Sequence, residues 1–287
     1  MLGFSAMVAG SFTFGALTGP HIAPIALNAA RFWLAAVLLL VAALASTGLK
    51  AGHFAKPWRY VVLGGLYAIY FVTMFEGLIT ATPVSIAAVF TLTPILAAFF
   101  GWLFLRQILT PRMALALAIG GIGALWVIFE ADWDKLRAFH VGRGELIYFV
   151  GVVAHAIYTP LVRKTNRGEP ALVFTFGVVL FAAGILTLVG WPAIAATDWT
   201  AMPAIVWWAI AYTGVFATAG TIMLMQIASL RLPAAKVMAH TYLVPGWVIV
   251  WELAFGRMPP TPLVLVGLGL SVVALILLLR DDEAKKA

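Results

Sequence analysis

Charged residues are so sparse along this chain that the intervals without them give its organisation. Crossing a hydrocarbon core takes about 20 mostly apolar residues. Ten stretches qualify: 3–20, 27–47, 59–80, 83–105, 112–130, 144–163, 170–190, 203–229, 233–255 and 262–280. Their apolar character is continuous rather than alternating, which excludes the strands of a membrane barrel. The pattern predicts an all-α membrane protein with ten transmembrane helices. The opening MLGFSAMVAG lacks the charged region and cleavage signal of a secretory leader and reads as the first span.

One spacing occurs twice inside these runs. Pro94 is followed by Arg106 and Pro111, and Pro245 by Arg257 and Pro262, at identical offsets. A proline in a helix interior cannot donate to the carbonyl four residues back, so Pro94 would free the carbonyl of Phe90 and Pro245 that of Thr241. Thr91, Thr93, Thr241 or a substrate group could satisfy them. Two such interruptions at matching places of two half-chains point to a transporter's binding site.

Composition sharpens this picture. The 287 residues are 63% hydrophobic and 10% charged, against about 25% charged in soluble domains. The net charge of +7 comes from short basic clusters between apolar runs, an orientation signal rather than a nucleic-acid patch. With the N-terminus inside, 13 of the 18 Lys and Arg residues fall in cytoplasmic segments and 5 (Arg31, Lys135, Arg137, Arg143 and Arg257) in outer ones. Both termini are therefore expected in the cytoplasm of an inner (plasma) membrane. The outer loop 131–143 divides five spans from five, giving repeats over 1–135 and 136–287. An odd number of spans makes the second repeat enter upside down, so the fold expected is two inverted five-helix repeats. The gap from Thr82-Pro83 to Pro94 and that from Leu232-Pro233 to Pro245 differ by one residue, so the repeat is diverged.

Arg31-Phe32 opening the second span, TATPVSIAAVFTLTPILAAFFGWLFL at 80–105, YTGVFATAGT at 212–221 and ASLRLPAAKV at 228–237 leading to Pro245 carry a resemblance. Over essentially its whole length the chain resembles the EamA-type branch of the drug/metabolite transporter superfamily. The resemblance implies ten helices in inverted repeats, export of small metabolites or drugs, and a central cavity lined by helices 1, 3, 4, 6, 8 and 9. Aromatic richness and length are similar to those of the aromatic amino acid exporters. The acidic residue usual before the fifth span is Gln107 here, with Met258 in the second half, so no role of that acid is carried over.

Intramembrane polar groups cost about 2.5–3.5 kcal/mol per charge at a helix centre and need a reason. Glu76 and Glu252 are acids well inside predicted spans, toward outer ends; they suit a gate or an amine or proton contact, or else they snorkel. Tyr148, Gly151, His155, Tyr158 and Thr159 share one face of the sixth span, where His155 could meet a substrate carboxylate or bond a backbone carbonyl. Lys236, His240, Val244, Trp247 and Trp251 share a face of the ninth. There Lys236 reads as a positive-inside anchor, and Trp247 either stacks on a ligand or faces lipid. Tyr67, Tyr70, Phe71 and Met74 offer a soft aromatic face suited to flat hydrophobic molecules, or to helix packing. Trp58, Trp133, Trp191 and Trp199 lie at span ends as interfacial anchors.

The expected substrate pathway is thus Tyr67, Tyr70, Met74, Glu76, Phe90, Thr91, Pro94, His155, Tyr158, His240, Thr241, Pro245 and Trp247. Aromatic side chains would hold the substrate, while freed carbonyls and His155 meet its polar end. With no Cys, no Cys/His metal spacing and no GxxxxGK[ST], no catalytic residue, metal, cofactor or direct use of ATP is expected. The expected partners are a small-molecule substrate, an amino acid or similar, and the lipid bilayer, with a monomer as the working oligomeric state. The alternatives are a broad drug/metabolite facilitator or channel-like pore and, from another class, a membrane enzyme or receptor.

Overall fold

The structure, a computed structural model, describes residues 2–129, 132, 134 and 141–280. Trp133, Lys135, Arg137 and the proposed boundary at 135/136 lie outside the described residues. The elements are α1 (Leu2–Thr18), α2 (Pro24–Ser46), α3 (Trp58–Gly77), α4 (Pro83–Phe90), α5 (Thr93–Leu105), α6 (Pro111–Ile128), α7 (Arg143–Thr165), α8 (Ala171–Ala196), α9 (Ala204–Tyr212), α10 (Thr221–Arg231), α11 (Ala234–Met238), α12 (Val244–Ala254) and α13 (Val264–Arg280). A wide-turn helical stretch, Thr213–Gly220, joins α9 to α10, and a 3₁₀ turn, Ala239–Leu243, joins α11 to α12. Among the described residues eight continuous helical rods are long and apolar enough to cross a membrane, including α4–α5, α9–α10 and α11–α12. Two more apolar helices, α1 and α13, are shorter.

The rods pack in a pattern that repeats with an offset of five. α2 lies along α8, α6 along α13, and α5 against α11. The α3–α7 pairing has its counterpart where α1 meets the α9–α10 rod, and α5 against α7 has its counterpart in α1 against α12. Close approach depends on small residues. A Cβ on Gly123 would stand 2.7 Å from the Gly267 carbonyl oxygen, and one on Gly267 the same distance from that of Gly123. Glycine is what lets these two backbones touch, the usual device where no hydrophobic drive pulls helices together in lipid. The outer faces carry Val37, Val41 and Leu44 of α2, Phe99 and Trp102 of α5, and Val272 and Ile276 of α13, all exposed. Apolar surface on this scale needs lipid.

The two repeated prolines differ from expectation. Each starts a helix instead of interrupting one: Pro94 and Pro245 occupy first-turn positions of α5 and α12, where the missing N–H is no loss. The breaks lie just before them, at Thr91–Leu92 and through the 3₁₀ turn. Thr93 Oγ1 donates to the Phe90 carbonyl at 2.5 Å. The Thr241 carbonyl accepts from the Val244 N–H. Neither acceptor is left for a substrate.

The Arg of the repeat is not equivalent in its two copies. Arg106 is the left-handed cap of α5, at φ 54°, whereas beyond α12 the left-handed position is Gly256, at φ 73°, and Arg257 follows it. Lys236, expected as a positive-inside anchor, is buried because the short α11 packs against α5 and α7. Arg31, counted among the outer residues, lies fully buried within α2.

Candidate functional site

Where the broken rods meet the rest of the bundle there is a small internal cavity. It is lined by Phe4, Val8 and Ser11 of α1; Tyr67, Tyr70, Phe71 and Met74 of α3; Phe90 of α4; His155 of α7; Ala217 of the wide-turn stretch; Thr221 and Met225 of α10; and His240. In order along the chain these residues come from α1, α3, the α4–α5 rod, α7, the α9–α10 rod and the α11–α12 rod. The space open to a water centre is about 20 Å³, room for roughly one water molecule. No metabolite fits it in this state.

The walls are built from aromatic contacts. His155 lies nearly parallel to Tyr70, with ring centroids 4.2 Å apart at 21°. Tyr67 packs edge-on against Tyr158 at 4.1 Å, and Phe90 stands 5.6 Å from His155 and 6.2 Å from His240. Polar handles are few. Ser11 Oγ and His155 Nδ1 are buried without a hydrogen-bond partner. The Nδ1 atom of His240 is 2.9 Å from the Val237 carbonyl oxygen. Buried polar atoms are normally paired, so Ser11 and His155 are the groups with unused capacity toward a ligand.

Six of the thirteen expected pathway residues line the cavity: Tyr67, Tyr70, Met74, Phe90, His155 and His240. The others stand elsewhere. Thr91 and Thr241 are buried beside the breaks, Thr91 Oγ1 donating to the Ala88 carbonyl at 2.7 Å. Tyr158 supports the wall from behind and donates to Gln226 Oε1 at 2.9 Å. Trp247 packs half-buried against the main core. Glu76 is half-buried, one residue from the end of α3. Pro94 and Pro245 shape the rods without reaching the space. Sequence reasoning missed Phe4, Val8, Ser11, Ala217, Thr221 and Met225. A signal for Ser11 was present, as one of four hydroxyl residues (Ser5, Ser11, Thr13, Thr18) in an otherwise apolar first span.

Both ends of the bundle are tied. At the Arg106 end, Gln107 Oε1 accepts from the Ala234 N–H at 3.0 Å and so caps α11 across from α5. There too Arg59 reaches the Thr165 carbonyl at 2.7 Å and Glu169 Oε1 at 2.7 Å. At the opposite end, Ser85 Oγ donates to Glu145 Oε1 at 2.6 Å, joining α4 to the start of α7. An aromatic group of Phe14, Tyr212, Trp251 and Phe255 closes that side above the cavity, with centroids 4.9–6.3 Å apart among its contacting pairs. Two side grooves flank these seals. One of about 260 Å³ shares Phe4, Met225 and His240 with the cavity; one of about 410 Å³ holds Glu252 and Arg257. Among the described residues no cluster of His, Asp or Glu could hold a metal.

Comparison with known proteins places this geometry. The model of the EamA-like transporter family matches the chain twice, over residues 1–129 and 142–280. The chain is 27% identical over 263 residues to the uncharacterized transporter YyaM of Bacillus subtilis (strain 168), spanning 89% of this chain and 85% of that protein. A protein of known crystal structure superposes with a TM-score of 0.75 at 20% identity, over 96% of this chain and 94% of that one. That likeness shows the fold alone. With both halves matched by the family model and eight rods able to span a bilayer, this multi-pass membrane protein belongs to the EamA-like transporter family.

Proposed function

We propose that the protein is an inner-membrane carrier that exports small organic metabolites, with aromatic or other hydrophobic amino acids as substrates. On this reading α1 and α13 complete ten spans. The halves 1–135 and 136–287 are inverted repeats, both termini are cytoplasmic, and a monomer is the transporting unit. The repeats rock about the cavity so that it opens to one side at a time. The observation that carries the reading is the cavity itself: helices from both halves enclose an aromatic space in whose wall Ser11 Oγ and His155 Nδ1 are buried without a partner. Flat apolar groups suit its rings, and a polar end suits those two atoms. Ties at both ends, Gln107 to Ala234 and Ser85 to Glu145, support alternating closure over an open pore. No covalent chemistry is part of this reading.

The test is counterflow in liposomes carrying the purified protein. Labelled L-phenylalanine and L-tryptophan should accumulate against an internal unlabelled pool, saturably and with mutual competition. The absence of saturable, competitor-sensitive flux for every aromatic amino acid would remove the substrate assignment. Flux that ignores the internal pool would favour a channel.

A further inference from the structure

We propose that the guanidinium of Arg31 is the receptor for a carboxylate on the transported solute, which makes the substrate an organic acid or zwitterion rather than a neutral or purely cationic compound. The inference rests on the transport reading above and names the group that would receive its substrate's carboxylate.

Arg31 is fully buried, eight residues into α2, and none of its Nε, Nη1 and Nη2 atoms has a hydrogen-bond partner. The ion pair found among the described residues, Arg59–Glu169, lies at the Arg106 end and offers it no counter-charge. Intramembrane charges ordinarily pair with one another or with backbone carbonyls. Here the group rests on aromatic faces instead, its central carbon 3.9 Å from the Phe71 centroid and 5.2 Å from that of Phe75. Cation–π contact steadies a guanidinium but uses none of its five N–H donors, whose fork geometry matches a carboxylate.

Phe71 also lines the central cavity, so the ring that holds the guanidinium is part of that cavity's wall. One turn back along α2, Asn28 Nδ2 donates to the Pro24 carbonyl at 2.8 Å and to the Phe71 carbonyl at 3.4 Å. These contacts fix the amide's orientation and leave Oδ1 buried without a donor. Residues three apart share a helix face with Cβ atoms about 5–6 Å apart. Unused donors on Arg31 and an unused acceptor on Asn28 therefore lie within reach of one α-amino acid head group, carboxylate on the first and ammonium on the second. Rotation of the Phe71 ring as the cavity opens exposes both.

The test measures binding by ligand-induced thermal stabilisation of the full-length protein in detergent. The probes are three acids, L-phenylalanine, L-leucine and phenylacetate, each paired with its methyl ester. In the wild type at least one acid should bind about tenfold or more tightly than its ester, the expected worth of a charge-assisted hydrogen-bonded pair. Arg31→Gln should bring acid and ester within about twofold of each other, and Arg31→Lys should retain part of the preference. Equal binding of acid and ester in the wild type overturns the inference, as does stabilisation by none of the acids; neither outcome depends on the variants folding. A preference kept in Arg31→Gln overturns it too, since a merely structural arginine would not set the acid-to-ester ratio. In the liposome assay, acid binding lost in Arg31→Gln without any flux would leave the carboxylate site standing and sink the transport reading. Saturable ester flux indifferent to Arg31 would do the reverse.

Discussion

At the scale of single residues, Arg59 and Glu169 form a pair whose side chains are 2% and 6% exposed. Burial alone would raise the Glu169 carboxyl, but the hydrogen bonds from Arg59 and from the Arg167 backbone N–H outweigh it and hold the group below its ordinary value of 4.5. A depressed carboxylate contributes stability that is fully present above its unfolded value and lost as pH falls through the folded one. The melting temperature should therefore drop on acidification below about pH 4.5, and Glu169→Gln should flatten that limb of the profile. Removing one partner outright, as in Glu169→Ala, should cost about 3–5 kcal/mol at neutral pH because it strands a buried guanidinium; melting of the purified variant checks it. His155 sets a second expectation. Replacing it with Phe keeps a ring against Tyr70 but removes the unpaired nitrogen, and should slow counterflow about fivefold through one lost hydrogen bond. Glu76→Gln, outside the cavity, should stay within about twofold of wild-type flux. An equal loss in both variants would contradict the placement of the pathway.

At the scale of elements, backbone contact makes some helix pairs intolerant of a single methyl group. Gly123→Ala places a Cβ against the Gly267 carbonyl and should lower the melting temperature by forcing α6 from α13. Gly269→Ala on the same helix meets nothing within 4 Å and should be neutral or stabilising by up to about 1 kcal/mol. Size-exclusion profiles after heating would separate the two. Element positions were largely legible in the sequence: the predicted spans and the helices agree within a few residues, except that α8 runs on to Ala196 past the expected end at 190, carrying Pro192 within it. What stayed hidden was local. Prolines signalled an irregularity near Pro94 and Pro245, yet their placement in the first turn of a new helix depends on Thr93 and on the 3₁₀ turn closing the freed carbonyls. The wide turn at Thr213–Gly220 has no proline to announce it. Helical periodicity put Trp247 and Trp251 on one face but could not say which neighbour that face would meet; Trp251 Nε1 donates to the Ala6 carbonyl at 3.3 Å.

At the scale of the whole molecule, the offset-of-five packing and the ties at either end set up a test of rocking. The chain has no cysteine, so it is already the background for paired cysteines. A reducible bifunctional crosslink between cysteines placed at positions 107 and 234 should stop counterflow, as should one between positions 85 and 145, and a reductant should restore each. Flux that survives both bridges would rule out opening at these ends. Half of the candidate site was legible because aromatic and histidine residues stand out in an apolar helix. The other half was not, because Val8, Ala217 and Met225 differ from lipid-facing neighbours only in direction. One consequence follows from the size of the central space. Among the described residues the central space narrows to room for about one water molecule, too little for a continuous file along which protons could hop or ions could slip at that point. On the transport reading proposed above, a cell could keep many idle copies in its membrane without draining its electrochemical gradients.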